Sequence, residues 1–422
     1  MKLSKKSNLL MSFFTKNKYI NHIEQTHRTD KIITILYHDI LNAYNFLLNL
    51  KQTRGTRFYN VNIKKIHSSS QIIRPNNFNT YSFPEQVRKH IDQLSLTELC
   101  YTFSLFNRNI KLYFTTEDDH IELKLEEYNK HVDSIIMWLY ILNEYASKQC
   151  SENLIVYFYF TSLEKRLPNS NIHILDENNI NTAFTTTCPK DSEIVVYRKE
   201  EWFKVFIHES FHNFALDFSD MNNAECTSRI LAIFPVQSDV NLYESYTEFW
   251  AEMINALFCS FFSLKDKNNV DEFLSNSEFF INFERTYSFF QLAKALRFMG
   301  LSYTDLYSKN IHRKVLRETM YKEKTNVLSY YVIKTILLNN YQDFLFWCTK
   351  HNLSLLQFKK TIKNQTEYCN FIEKNYKKSS MIEGVEESQK FLNILYSKNK
   401  NRREINDSYV LSNLRMSICE LG

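Results

Sequence analysis

His208 and His212 stand four residues apart in the run His208-Glu209-Ser210-Phe211-His212. On a helix, that spacing puts both side chains on one face, a turn apart. Two imidazoles so placed can reach one Zn2+ at about 2.0–2.1 Å. Glu209, next to the first histidine, projects beside the metal and can take a proton from a zinc-bound water. The flanking Val205, Phe206, Ile207, Phe211, Phe214, Ala215 and Leu216 are apolar, so a helix here holds the pair in the interior. The chemistry on offer is metal-assisted hydrolysis. The plainer reading is a hydrogen-bonded pair of core histidines with a surface Glu.

A catalytic zinc site wants three protein ligands and an open position. Phe218 and Ala215 occupy the places where a metzincin carries its third His and its glycine, so the third ligand must come from elsewhere. Glu244, Glu248 and Glu252 recur at steps of four in a segment otherwise rich in Tyr, Phe, Trp, Met, Ile and Leu. Like charges at i,i+4 oppose a helix, and more so when buried. Such a stripe needs compensation, which a divalent cation and His N–H donors can supply. The alternative is a solvent-facing acidic stripe. Hydrolysis by water also needs a group to stabilise the oxyanion. Tyr243 and Tyr246 flank the stripe and are candidates for that catalytic role, with packing as the other reading; His312 is a further candidate.

The pair with Glu248-Phe249-Trp250-Ala251-Glu252 downstream resembles the gluzincin group of zinc metallopeptidases, and this second run is similar to the ligand helix of the anthrax lethal factor type. The resemblance covers roughly residues 199–256. It implies that His208, His212 and Glu248 hold one Zn2+ and that Glu209 is general base. It also implies that Glu252 accepts a His N–H and so fixes its tautomer. In the competing register Glu244 is the ligand and Glu248 the orienting acceptor.

These residues need two helices and a support. Apolar spacing predicts a helix over 199–217 for the His pair and another over 241–263 for the carboxylates. Further helices are expected over 31–51, 121–148, 276–299, 326–349, 354–375 and 385–397, and one after Pro84. Strands are expected over 154–161 and 193–197. Two more flank a turn at Asn107-Arg108-Asn109, and an edge strand over 181–187 could pair with an extended substrate. The expected architecture is α+β and mainly helical, with a small mixed sheet. Residues 1–30 read as a loose basic tail, 31–120 as an N-terminal α/β region, 121–265 as a zincin-like core and 266–422 as a C-terminal helical domain forming one wall of the cleft. The basic segment 397–404 reads as a solvated helix end.

Composition excludes other chemistries. The glycines are Gly55, Gly300, Gly384 and Gly422, too sparse for a phosphate-binding loop or a dinucleotide fingerprint. Net charge is +5, with Lys/Arg and Asp/Glu interspersed, so no specific nucleic-acid partner is expected. No apolar run is long enough to span a membrane, and the start lacks a cleavage site. The cysteines contain no Cys-x-x-Cys pair and read as reduced, buried thiols of an intracellular protein. The Phe, Ile, Asn, Lys and Tyr bias matches codon drift in an AT-rich genome. The expected function is zinc-dependent hydrolysis of a peptide or protein substrate. A virion or host-interaction protein that keeps the fold without turnover, and an amidase acting on a non-peptide substrate, are the alternatives.

Overall fold

A computed structural model describes residues 2–55, 58–399 and 405–422. It has the expected α+β, mainly helical composition, with one mixed sheet of six strands. The chain opens with α1 (Lys5–Lys16), where a loose tail was expected. Ser4 caps its first turn, and Leu10, Met11 and Phe14 are buried. Their spacing of three and four is helical, so apolar burial outweighs the basic composition. Next come α2 (His27–Arg54), β1 (Asn60–Lys65) and α3 (Glu85–Leu94), the last directly after Pro84.

β2 (Thr97–Leu105) and β3 (Arg108–Thr116) form the expected hairpin, but the turn is Phe106-Asn107, one residue earlier than expected. Both turn residues have positive φ, as a two-residue turn between twisted strands requires. α4 (Leu125–Tyr145) then leads to β4 (Asn153–Phe160), which lies parallel to β3. After α5 (Glu177–Ile180) come β5 (Ala183–Thr185) and β6 (Asp191–Val196). The sheet order is β1-β2-β3-β4-β6-β5. β4 and β6 run parallel, and the short β5 pairs antiparallel at the edge.

Alternation along β4 sends Leu154, Val156, Phe158 and Phe160 to the main core and Tyr157 and Tyr159 to a smaller core under α3. This strand is therefore buried on both faces, as its apolar run implies. On the main-core side lies α6 (Trp202–Asn213), every residue of which is buried. α4 backs it: Trp138 stacks on Phe211 and His131 packs on Trp202.

α7 (Ala224–Ile233), read from sequence as loop, precedes α8 (Leu242–Ser263) and α9 (Val270–Phe298). α10 (Ile311–Met320) was likewise not expected; most of its residues are exposed, His312 among them. The single helix expected over 326–349 is divided into a π-helical stretch, Leu328–Ile333, then α11 (Lys334–Asn339) and α12 (Tyr341–His351). α13 (Ile362–Asn375), α14 (Ser379–Asn399) and α15 (Ile405–Ser412) follow. The expected basic helix end at 397–404 lies outside the described residues from 400 onward.

One hydrophobic core runs from Leu10 to Leu421, and the sheet joins strands from both sides of residue 120. No helix among the described residues is long and apolar enough to cross a membrane. One expectation for the cysteines is overturned: Cys150 and Cys188 form a disulfide, with Cα atoms 4.6 Å apart. The β4–β6 pairing brings these positions together across 38 residues of sequence, a proximity no local spacing signals. The other six cysteines are free thiols.

Candidate metal centre

Lys204, His208 and His212 form one stripe along α6, and Glu244, Glu248 and Glu252 form one along α8. The contacts run in opposite directions along the two helices. Lys204 meets Glu248, His208 meets both Glu248 and Glu244, and His212 meets Glu244. The helices are therefore antiparallel, and each turn of one answers a turn of the other.

Three ligand atoms converge. His208 Nε2 lies 3.1 Å from His212 Nε2 and 3.1 Å from Glu244 Oε2. His212 Nε2 lies 3.4 Å from the same oxygen. Ligands held about 2.05 Å from a tetrahedral ion stand about 3.3 Å from one another, so this triangle has edge lengths that could hold a metal ion. The carboxylate in it is Glu244, the competing register of the sequence reading, and not Glu248.

The outward nitrogens are also engaged. His208 Nδ1 faces Glu248 Oε2 at 2.8 Å, and His212 Nδ1 pairs with Asp217 Oδ2. A carboxylate on Nδ1 takes that N–H and leaves the Nε2 lone pair for a metal. The orienting role therefore falls to Glu248 and Asp217. Glu252 does not take it, because it sits one turn further along α8 and binds Lys334 Nζ at 2.7 Å.

Asp217 reaches His212 only because α6 stops. In a continued helix, a residue five further on lies about 140° around the axis. Instead Ala215 adopts positive φ, and Leu216 N–H donates to the Phe211 carbonyl at 2.8 Å. That is the helix-ending turn usually given to glycine. Ser219 donates twice to Asp217 Oδ1, and Thr247 donates to Oδ2 at 3.2 Å.

The acidic stripe is buried rather than solvent-facing: Glu248 and Glu252 are 1% and 0% exposed. Lys204 Nζ binds Glu248 Oε1 at 2.6 Å, and Lys334 serves Glu252, so two lysines compensate two of the three charges. Glu244, Asp217 and Glu209 have no lysine or arginine ion pair among the described residues. Buried charge of one sign demands a counter-charge, and a divalent cation among two imidazoles and a carboxylate meets that demand. Burial opposes charge on His208, but Glu244 and Glu248 outweigh it and raise its pKa. Burial is likewise overcome at His212 by Asp217 and Glu244. Glu244 and Glu248 are held below the usual carboxylate range against the cost of burial, the first mainly by His212 and the second mainly by Lys204.

Glu209 stands apart. Its carboxylate accepts no hydrogen bond from the described residues, and burial raises its pKa. It lines a cleft of about 40 Å3 with His208, Glu248, Tyr330 and the edge-strand residue Ala183. Tyr330, on the π-helical stretch, donates its hydroxyl to Glu244 Oε2 at 2.9 Å. Tyr243 packs edge-on against the His212 ring at 5.8 Å. Tyr246 is fully buried, donates to the Leu356 carbonyl and accepts from Asn352, so it serves packing. No described contact joins His312 to the pair.

Lys204, Asp217, Tyr330 and Lys334 are the residues that sequence reading missed. Lys204 carried a signal, since it extends the 208/212 stripe by one turn. Asp217 depends on where a helix ends. Tyr330 is one of 26 tyrosines with nothing local to single it out. Comparison of the chain with protein-family models, curated proteins and solved structures finds no match.

Proposed function

We propose that the protein is a zinc-dependent hydrolase acting on peptide bonds, with His208, His212 and Glu244 as ligands. The observation that carries this reading is the orientation of the two imidazoles. Each has a carboxylate on Nδ1, and both Nε2 atoms converge with Glu244 Oε2. Two imidazoles and a carboxylate suit Zn2+. Zinc bound there supplies Lewis acidity toward a carbonyl oxygen and toward water. Glu209, with no hydrogen-bond partner and a raised pKa, accepts the proton of the attacking water and hands it to the leaving nitrogen. The Tyr330 hydroxyl is the nearby donor for the developing oxyanion. The short edge strand β5 offers backbone groups beside the cleft to an extended peptide.

A second reading, a zinc-holding protein without turnover, is favoured by one observation. The cleft at Glu209 measures only about 40 Å3, which holds water but not a peptide unless the walls part.

Glu209→Gln separates the two readings. Under the hydrolase reading it lowers the release of new amino termini from casein by about 10²–10⁴-fold while zinc content stays at the wild-type level. A wild-type protein that binds zinc and releases none supports the second reading. Absence of zinc after zinc-replete expression defeats both.

A further inference from the structure

The disulfide lies against the far end of the helix that carries the histidines. Cys188 N–H donates to the carbonyl of Asn213, the residue after His212, at 3.0 Å. Asn213 Nδ2 donates back to Thr185 Oγ1 and to the Thr186 carbonyl. Ser151, next to Cys150, donates its hydroxyl to Asn213 Oδ1 at 2.5 Å, and its N–H to the Pro189 carbonyl at 2.8 Å. Both partners of the bond therefore grip the end of α6 through their neighbours. The same loop touches the orienting carboxylate: Thr187 Oγ1 is 3.1 Å from Ser219 Oγ, and Ser219 is bonded to Asp217 Oδ1.

Two positions here have left-handed backbone without glycine, Ser151 at φ 57° and Cys188 at φ 50°. Such residues persist where their surroundings hold them. Cys188 lies at the surface while Cys150 is fully buried, so a thiol approaches the bond from the Cys188 side.

We propose that Cys150–Cys188 is a redox latch on the metal centre. Closed, it clamps the 185–189 loop against Asn213 and Ser219 and so holds Asp217 on His212. A small dithiol opens it by exchange: its thiolate attacks Cys188 Sγ, and Cys150 leaves as thiolate and takes up a proton. The second thiol of the reagent then displaces Cys188, leaving two protein thiols and one oxidised dithiol. The freed loop lets Asp217 drift from His212, and zinc affinity falls. The latch rests on the metal reading above, because it acts on the second ligand of that site.

The test measures zinc affinity of the full chain by competition with a chromophoric chelator, before and after treatment with dithiothreitol and its removal under argon. Intact mass reports the 150–188 bond. The reduced protein is expected to bind zinc about tenfold or more weakly, the scale of losing an outer partner of a ligand histidine. Cys150→Ser/Cys188→Ser is expected to match the reduced protein and to ignore the reductant. Equal affinity in the oxidised and reduced states overturns the latch and leaves the metal site standing. Free thiols at both positions in the air-exposed protein overturn it too. No zinc in either state overturns the metal reading, and the latch with it.

Discussion

Glu248 Oε2 sits 2.8 Å from His208 Nδ1 while its other oxygen takes the Lys204 ammonium at 2.6 Å. One carboxylate thus ties two turns of α6 together. Its two oxygens face these two partners, while the carboxylate oxygen 3.1 Å from His208 Nε2 belongs to Glu244, one turn away on α8.

This division of labour sets an order among the carboxylates. Glu244→Gln is expected to abolish stoichiometric zinc binding at micromolar protein. Glu248→Gln and Asp217→Asn, which remove partners of the ligand imidazoles, are expected to weaken it about 10–100-fold. Chelator competition measures all three. Greater loss from the Glu248 change than from the Glu244 change would reinstate Glu248 as the ligand.

Tyr330→Phe removes one hydroxyl that now rests on Glu244 Oε2. If that hydroxyl serves the oxyanion, kcat drops about 10²–10³-fold with KM and zinc content little changed. A loss of zinc with no separate effect on kcat would make Tyr330 a support for Glu244 and nothing more.

Lys204 is 2% exposed and pairs with a carboxylate that is 1% exposed. Lys204→Met leaves Glu248 buried without its cation, and the expected cost is about 3–5 kcal/mol of folding stability. Urea unfolding of the zinc-free protein reads this directly. A change below about 1 kcal/mol would mean that His208 alone neutralises Glu248.

His131 is buried beneath Trp202, and neither ring nitrogen has a hydrogen-bond partner among the described residues. Burial first, and the Lys199 charge second, push its pKa down to about 3. The unfolded chain therefore binds a proton near pH 6.5 that the folded chain refuses. Stability attached to this group is present at neutral pH and is lost as pH falls below about 6.5, at up to about 1.4 kcal/mol per unit. Between pH 7 and pH 5, His131→Phe is expected to lose about 2 kcal/mol less than wild type. Parallel urea titrations at the two pH values check it; identical losses would show that the imidazole is protonated inside the fold.

The 208/209/212 spacing, the apolar flanks and the recurring acids at 244, 248 and 252 are local patterns with the period of a helix. Sequence therefore determined that two helices carry the candidate chemistry, that both are buried, and that the fold is α+β. Which acid meets the histidines was not local. It follows from the antiparallel packing of α6 on α8 and from the claims of Lys204 and Lys334 on the neighbouring turns. Asp217 came into place because Ala215 ends α6 in a left-handed turn, Tyr330 because a π-helical stretch from the last third of the chain lines the cleft, and Cys188 because β6 pairs beside β4. Periodicity reports which face of a segment is buried. Only tertiary structure decides what that face is buried against, since the partners are set by packing and charge balance between segments far apart in the chain.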